Sequence, residues 1–103
     1  MSDKPPEYSL KESDRFVKQL KALHHLLGEH FSDQIEEKIN SIRWALTTKP
    51  TVYQIVPERP RLRMAATRRD KNIPRLRFLF VIDEDNKSVE IKALDVDTTD
   101  VFM

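Results

Sequence analysis

The chain has 103 residues, 39% of them hydrophobic and 34% charged, with a formal net charge of +1, which suits one domain with a lean core and not two. A single glycine, Gly28, excludes the glycine-rich loops of nucleotide-binding folds, and the absence of cysteine excludes disulfides, thiolate metal sites and a cysteine nucleophile. Met1–Pro6 is polar with no apolar signal-peptide core, and the longest strongly apolar run, Phe78–Ile82, is far short of the ~20 residues of a membrane-spanning helix, so a cytoplasmic protein with no membrane partner is expected.

Residues 1–7 carry charge and the pair Pro5-Pro6 and read as a flexible N-terminal tail. Tyr8-Ser9-Leu10 alternates apolar and polar, as a short first strand does. Ser13 or Asp14 then offers a helix N-cap, and Phe16, Leu20, Leu23 and Leu27 follow at i, i+4, i+7, i+11, one apolar stripe along a helix. Gly28 stands where a left-handed C′ residue ends such a helix. Ser32 is a second N-cap candidate, and Ile35, Ile39, Ile42 and Leu46 repeat the stripe up to about Thr48, before Pro50. The short link from Gly28 to Ser32 makes the two helices an antiparallel hairpin.

Beyond Pro50 the period changes from 3.6 to 2. Thr51–Val56 is an edge element or an ordered connector, because Pro57 and Pro60 cannot serve a central strand. Arg61–Thr67 alternates Leu62, Met64 and Ala66 against Arg61, Arg63 and Ala65, and Arg75–Ile82 alternates Leu76, Phe78, Phe80 and Ile82 against Arg75, Arg77, Leu79 and Val81. Val89–Leu94 is the last strand. The expected class is α+β, in the order β-α-α-β-β-β, an antiparallel sheet packed on a helical hairpin. The domain spans residues 8–94, and 95–103 form an acidic C-terminal tail.

Between Arg59 and Arg77 eight cationic side chains stand against Asp70 alone, while between Asp83 and Asp100 seven acids stand against Lys87 and Lys92. If Leu62, Met64, Leu76, Phe78 and Phe80 face the helices, then Arg61, Arg63, Arg75 and Arg77 share the helix-free face. Guanidiniums clustered so repel one another, and an anionic partner with phosphate or carboxylate groups accounts for them. The plainer alternative is a solvated face balanced by the acidic strand beside it, where Glu90 and Lys92 alternate.

Tyr8-Ser9-Leu10 before the hairpin, Arg61-Leu62-Arg63-Met64, Pro74 to Asp83 and Val89 to Leu94 together resemble the RelE/ParE toxin superfamily of toxin–antitoxin systems. The resemblance implies a toxin held by a cognate antitoxin. RelE-like members cleave messenger RNA on the ribosome, whereas ParE-like members inhibit DNA gyrase. It also implies a phosphate-binding set in which Arg61 and Arg63 match the family's second-strand basic pair and Arg77 its third-strand arginine. The arginine and tyrosine of the family's C-terminal part have no counterpart: Val96 and Phe102 stand there, beside Asp95 and Asp97. Cleavage by 2′-hydroxyl attack needs an acid and a base as well as charge stabilisation. The expectation is therefore an RNA- or ribosome-binding toxin with weak or absent endoribonuclease activity, the alternative being a ParE-like gyrase inhibitor or a silenced toxin domain.

His24, His25 and His30 lack the i, i+4 spacing of a helical zinc pair, and neither a metal nor a cofactor is expected. Tyr8 and Tyr53 read as packing residues. Trp44 lies half a turn from the apolar stripe of its helix, so it either packs beneath the Thr51–Val56 connector, the reading favoured, or is exposed as a contact for a partner.

Overall fold

A computed structural model of the chain describes residues 7–71 and 73–97. The expected tail falls almost wholly outside these residues. Strand β1 (Ser9–Glu12) leads into helix α1 (Asp14–Leu27), a 3-10 turn (Glu29–Phe31) and helix α2 (Ser32–Thr48). A second 3-10 turn (Pro50–Val52) precedes β2 (Gln54–Val56), β3 (Arg59–Ala66), β4 (Arg75–Asp83) and β5 (Ser88–Asp97). The sheet order is β1-β5-β4-β3-β2. From β2 to β5 the strands form an antiparallel meander, and β1 joins β5 in parallel, so the sheet is mixed rather than wholly antiparallel. The helical hairpin is part of the long connection that separates β1 from its parallel partner β5.

Helix α1 starts on Ser13, whose Oγ accepts from the Phe16 N–H at 3.1 Å and donates to the Lys92 carbonyl at 2.9 Å. That carbonyl is free for it because Lys92 is the extra residue of a bulge: Leu79 lies opposite Ala93, while Phe80 lies opposite Ile91. The first helix is thereby pinned to the sheet at its N-cap. It ends at Gly28, with φ +83° and ψ 169°. This is not the left-handed helical conformation expected, but a region that only glycine occupies readily. Ser32 does not cap α2 either. The position before the helix is Phe31, which makes no side-chain cap, and the Ser32 hydroxyl instead meets His24 Nδ1 at 2.9 Å. Lys49, which precedes Pro50, leaves the helical region at φ −142° and ψ 65°, because proline crowds out the helical conformation of the residue before it.

Phe16, Leu20 and Leu23 of α1 and Ile35, Ile39, Ile42 and Leu46 of α2 are all buried, against Ala65, Leu76, Phe78, Phe80, Val89, Ile91 and Leu94 of the sheet. Each of the larger side chains contributes about 1.5–3 kcal/mol by leaving water. Phe16 and Phe78 meet with ring centroids 6.0 Å apart. Among the described residues no helix lies over the other face of the sheet, and none is long and apolar enough to cross a membrane.

Two placements differ from the expectation. The last strand runs on through Asp97, pairing Asp95, Val96 and Asp97 with Arg77, Leu76 and Arg75, so the first three residues of the expected tail belong to the sheet. The second difference is the register of β3. Arg63 pairs with Phe80 and Ala65 with Phe78, while Met64 pairs with Leu79 and Ala66 with Arg77. Directly paired residues share a face. Arg63 and Ala65 therefore lie on the helix side, and Leu62, Met64 and Ala66 on the open side, the reverse of the alternation read from sequence. Volume decides it. Phe78 already fills the layer beneath the helices at this point, and a small residue fits opposite it. Ala65, 1% exposed, takes that place, and Thr67 closes the end by accepting the Leu76 N–H on Oγ1 at 3.0 Å.

Candidate functional site

The open sheet face carries Arg75, Arg77, Leu79 and Val81 from β4, Leu62, Met64 and Ala66 from β3, and Glu90, Ala93 and Asp95 from β5. Its centre is apolar. Leu62, Met64, Leu79 and Val81 are half-buried and stand apart from the hydrophobic core on the helix side.

The three expected phosphate ligands do not share one face. Arg77 is on the open face, where its Nη2 bonds the Asp95 carboxylate and its Nε is buried with no hydrogen-bond partner. Arg63 is on the helix side at the sheet's margin. Its Nη1 donates to the carbonyls of Tyr53 at 2.7 Å and Thr51 at 3.1 Å, so it ties the turn after α2 to β3. Tyr53, held there, lies edge-on to Phe80 with centroids 5.8 Å apart. Arg61 is exposed where β3 and β4 part company, since their pairing stops at Arg63 and Phe80. The shared arginine face expected of Arg61, Arg63 and Arg77 is thus corrected: the flipped register puts Arg63 and Arg77 on opposite sides of the sheet.

At the parting of β3 and β4 lies a cleft of about 770 Å³, bordered by Arg61, Arg63, Lys92, Asp83, Glu84 and Asp85 among others. Its cations and acids balance. A hydrogen bond from Asn86 holds the Asp83 carboxyl below the usual range. Hydrogen bonds from Lys87, and then from Tyr8, do the same for Glu84. Both acids stay ionised beside the arginines, which disfavours a phosphate there. Glu90 and Lys92 engage each other at 2.9 Å.

Val96 pairs with Leu76 and packs against the core on the helix side. A guanidinium at that position would enter the margin of the core and not the open face. Phe102 lies outside the described residues. Tyr8 is buried, with its hydroxyl on Glu84 Oε1 at 2.9 Å and the Lys87 ammonium 5.2 Å from its ring centroid, a packing role as expected. Trp44 is 70% exposed, so the favoured placement beneath the connector is corrected. The residues that sequence reasoning undervalued are Leu79 and Val81. They share the alternation of Arg75 and Arg77 and signalled that this face is as much apolar as cationic.

No family model and no curated protein matches the chain. Solved structures do. The toxin–antitoxin complex RelBE2 from Mycobacterium tuberculosis superimposes with a TM-score of 0.65 at 19% identity, over 93% of this chain and 98% of that one. The intact E. coli RelBE toxin–antitoxin complex gives 0.58 at 15% identity, over 87% and 96%. A double mutant of E. coli toxin RelE in the free state gives 0.54 at 13% identity, over 92% and 88%. The fold is RelE-like. Within the RelE-like fold this chain places an apolar patch at the centre of its open sheet face, bordered by Arg75 and by Arg77, which the Asp95 carboxylate engages.

Proposed function

We propose that the chain is the toxin of a type II toxin–antitoxin pair, held by a cognate antitoxin, and that it acts by binding a protein target rather than by cutting RNA. The RelE-like fold supports the first half, since two of the similar structures are toxin–antitoxin complexes. The second half rests on one observation: Leu62, Met64, Leu79 and Val81 occupy the middle of the open face, while Arg63 is bound behind the sheet and Arg77 is engaged by Asp95. Phosphoryl transfer needs free cations around the reacting phosphate and an acid–base pair to move protons. An apolar patch rimmed by charge is instead the pattern of a protein-binding surface. A ParE-like target such as DNA gyrase fits this reading better than messenger RNA on the ribosome.

The test is expression of the chain alone and together with the protein encoded beside its gene. Growth arrest by the chain, relief by the neighbour and a stable complex of the two support the proposal. A Met64→Glu/Leu79→Glu variant that keeps its circular dichroism spectrum should no longer arrest growth, whereas Arg77→Ala should still do so. Arrest that survives the double variant and is lost with Arg77→Ala would return the activity to the guanidiniums.

A further inference from the structure

The outer surface of α2 carries a second pattern that the open sheet face does not use. Asp33, Glu37, Asn40, Ser41 and Trp44 recur at intervals of three and four residues, so they form one stripe along the helix. At 100° per residue the stripe lies opposite the buried row Ile35, Ile39, Ile42 and Leu46. Asp33, Glu37, Asn40 and Ser41 are all exposed, and Trp44, the chain's one tryptophan, is 70% exposed. Together with Glu36 and Ala45 these residues border a shallow depression of about 840 Å³.

Three features give this stripe a partner chemistry. It holds a large aromatic ring that folding leaves in water. Its charges are unbalanced: among the described residues no cation pairs with Asp33 or Glu37. The helix's own cations are engaged by other groups than Asp33 and Glu37: Lys38 lies 3.7 Å from Asp70, while Arg43 makes a two-point contact with Glu12 at 2.6 and 3.2 Å and donates to the Asn40 side-chain oxygen at 3.0 Å. Glu36, at the margin, is shared by His24 at 2.9 Å and Arg43 at 3.7 Å. Finally, the middle of the stripe is low, because Asn40 and Ser41 are short and leave room for a second helix to approach closely.

We propose that this stripe of α2 docks a cationic amphipathic helix of a partner protein. The partner's apolar side chain covers the Trp44 indole, and its lysines or arginines pair with Glu37 and Asp33. At 1.5 Å per residue those carboxylates stand about 10 and 16 Å along the axis from Trp44, two and three helical turns, so one straight helix reaches all three points. Trp44 is the anchor and the two carboxylates select the sign of charge. The inference does not rest on the toxin reading, because the stripe lies on α2 and shares no residue with the open sheet face.

The lone tryptophan makes the test direct. The full chain is titrated with a synthetic amphipathic helical peptide of leucine and lysine, and with the same peptide carrying glutamate for lysine, while Trp44 emission and the anisotropy of a labelled peptide are followed. The lysine peptide should saturate, shift Trp44 emission to the blue and weaken with salt, and the glutamate peptide should do none of these. Asp33→Asn/Glu37→Gln should weaken binding about tenfold, as two exposed charge pairs do, and Trp44→Ala by about 30-fold or more if it is the anchor. All these positions are exposed, so circular dichroism should confirm that the variants fold. Binding that leaves Trp44 emission unchanged, or that survives both variants, overturns the proposal. So does sedimentation as a dimer in which Trp44 is already shielded, since a second copy then occupies the stripe.

Discussion

Arg63 and Arg77 look equivalent in sequence, each an arginine in an alternating strand, and the structure uses them for different ends. Arg63 satisfies two backbone carbonyls at the close of the helical layer, an exposed one at Thr51 and a partly buried one at Tyr53. Arg63→Ala should therefore lower stability by about 1–3 kcal/mol in urea denaturation, the cost of losing a charged hydrogen bond to a partly buried acceptor. Arg77 makes a half-exposed ion pair, so Arg77→Ala should cost less than about 1 kcal/mol. Equal costs for the two would mean that Arg63 is not the tie described. The Tyr8–Glu84–Lys87 cluster adds a pH signature. Glu84 lies below its unfolded value, so its contribution is present above the unfolded carboxylate range and fades as pH falls through the folded value. Its hydrogen bond to Glu84 raises the Tyr8 phenol above its ordinary value, so that contribution is present below the unfolded value and fades as pH rises through the folded one. Thermal unfolding of the wild type should drop at both ends of the range, and Tyr8→Phe should flatten the alkaline arm. An unchanged alkaline arm in that variant would place its origin elsewhere.

At the scale of elements, β3 and β4 show what a single sequence can and cannot reveal. In β4, bulky apolar residues alternate with arginine, and burial follows the pattern: Leu76, Phe78 and Phe80 are fully buried. Phe80→Ala should cost about 3–5 kcal/mol through lost burial and the cavity left behind, and a loss below about 1 kcal/mol would refute that register. In β3 the run Met64-Ala65-Ala66 is apolar on both faces, so alternation alone does not choose a side. The size of Phe78 across the ladder makes the choice, and that is a fact of pairing, invisible along one strand. Met64→Lys should be tolerated within about 1 kcal/mol as a change on an open face, whereas Ala65→Lys should abolish folding by burying an unpaired ammonium. The reverse pattern would restore the alternation read from sequence. The two helical stripes were legible because four apolar residues at helical spacing leave little freedom. The capping of α2 was not, because the Ser32 hydroxyl is claimed by His24 from the other helix. The exposure of Trp44 follows from helical phase alone, and only the expectation of a covering connector obscured it.

For the whole molecule, the described cations of residues 59–77 are spread over different parts of the sheet rather than gathered into one site. Arg77 meets Asp95 on the open face, and Arg61 and Arg63 border a cleft with Asp83, Glu84 and Asp85. The RelE-like architecture is thus retained while Arg63 and Arg77 lie on opposite sides of the sheet. Losing one charge-stabilising donor from an enzyme site commonly costs ~100–1,000-fold in rate, and here Arg77 lies on the opposite face from Arg63. The most direct measurement is primer extension on messenger RNA in a reconstituted translation system supplied with the purified chain, beside a RelE toxin with a complete site. No ribosome-dependent cleavage above background is expected at concentrations where the complete toxin cuts to completion. Robust cleavage that Arg61→Ala, Arg63→Ala or Arg77→Ala abolishes would contradict the account.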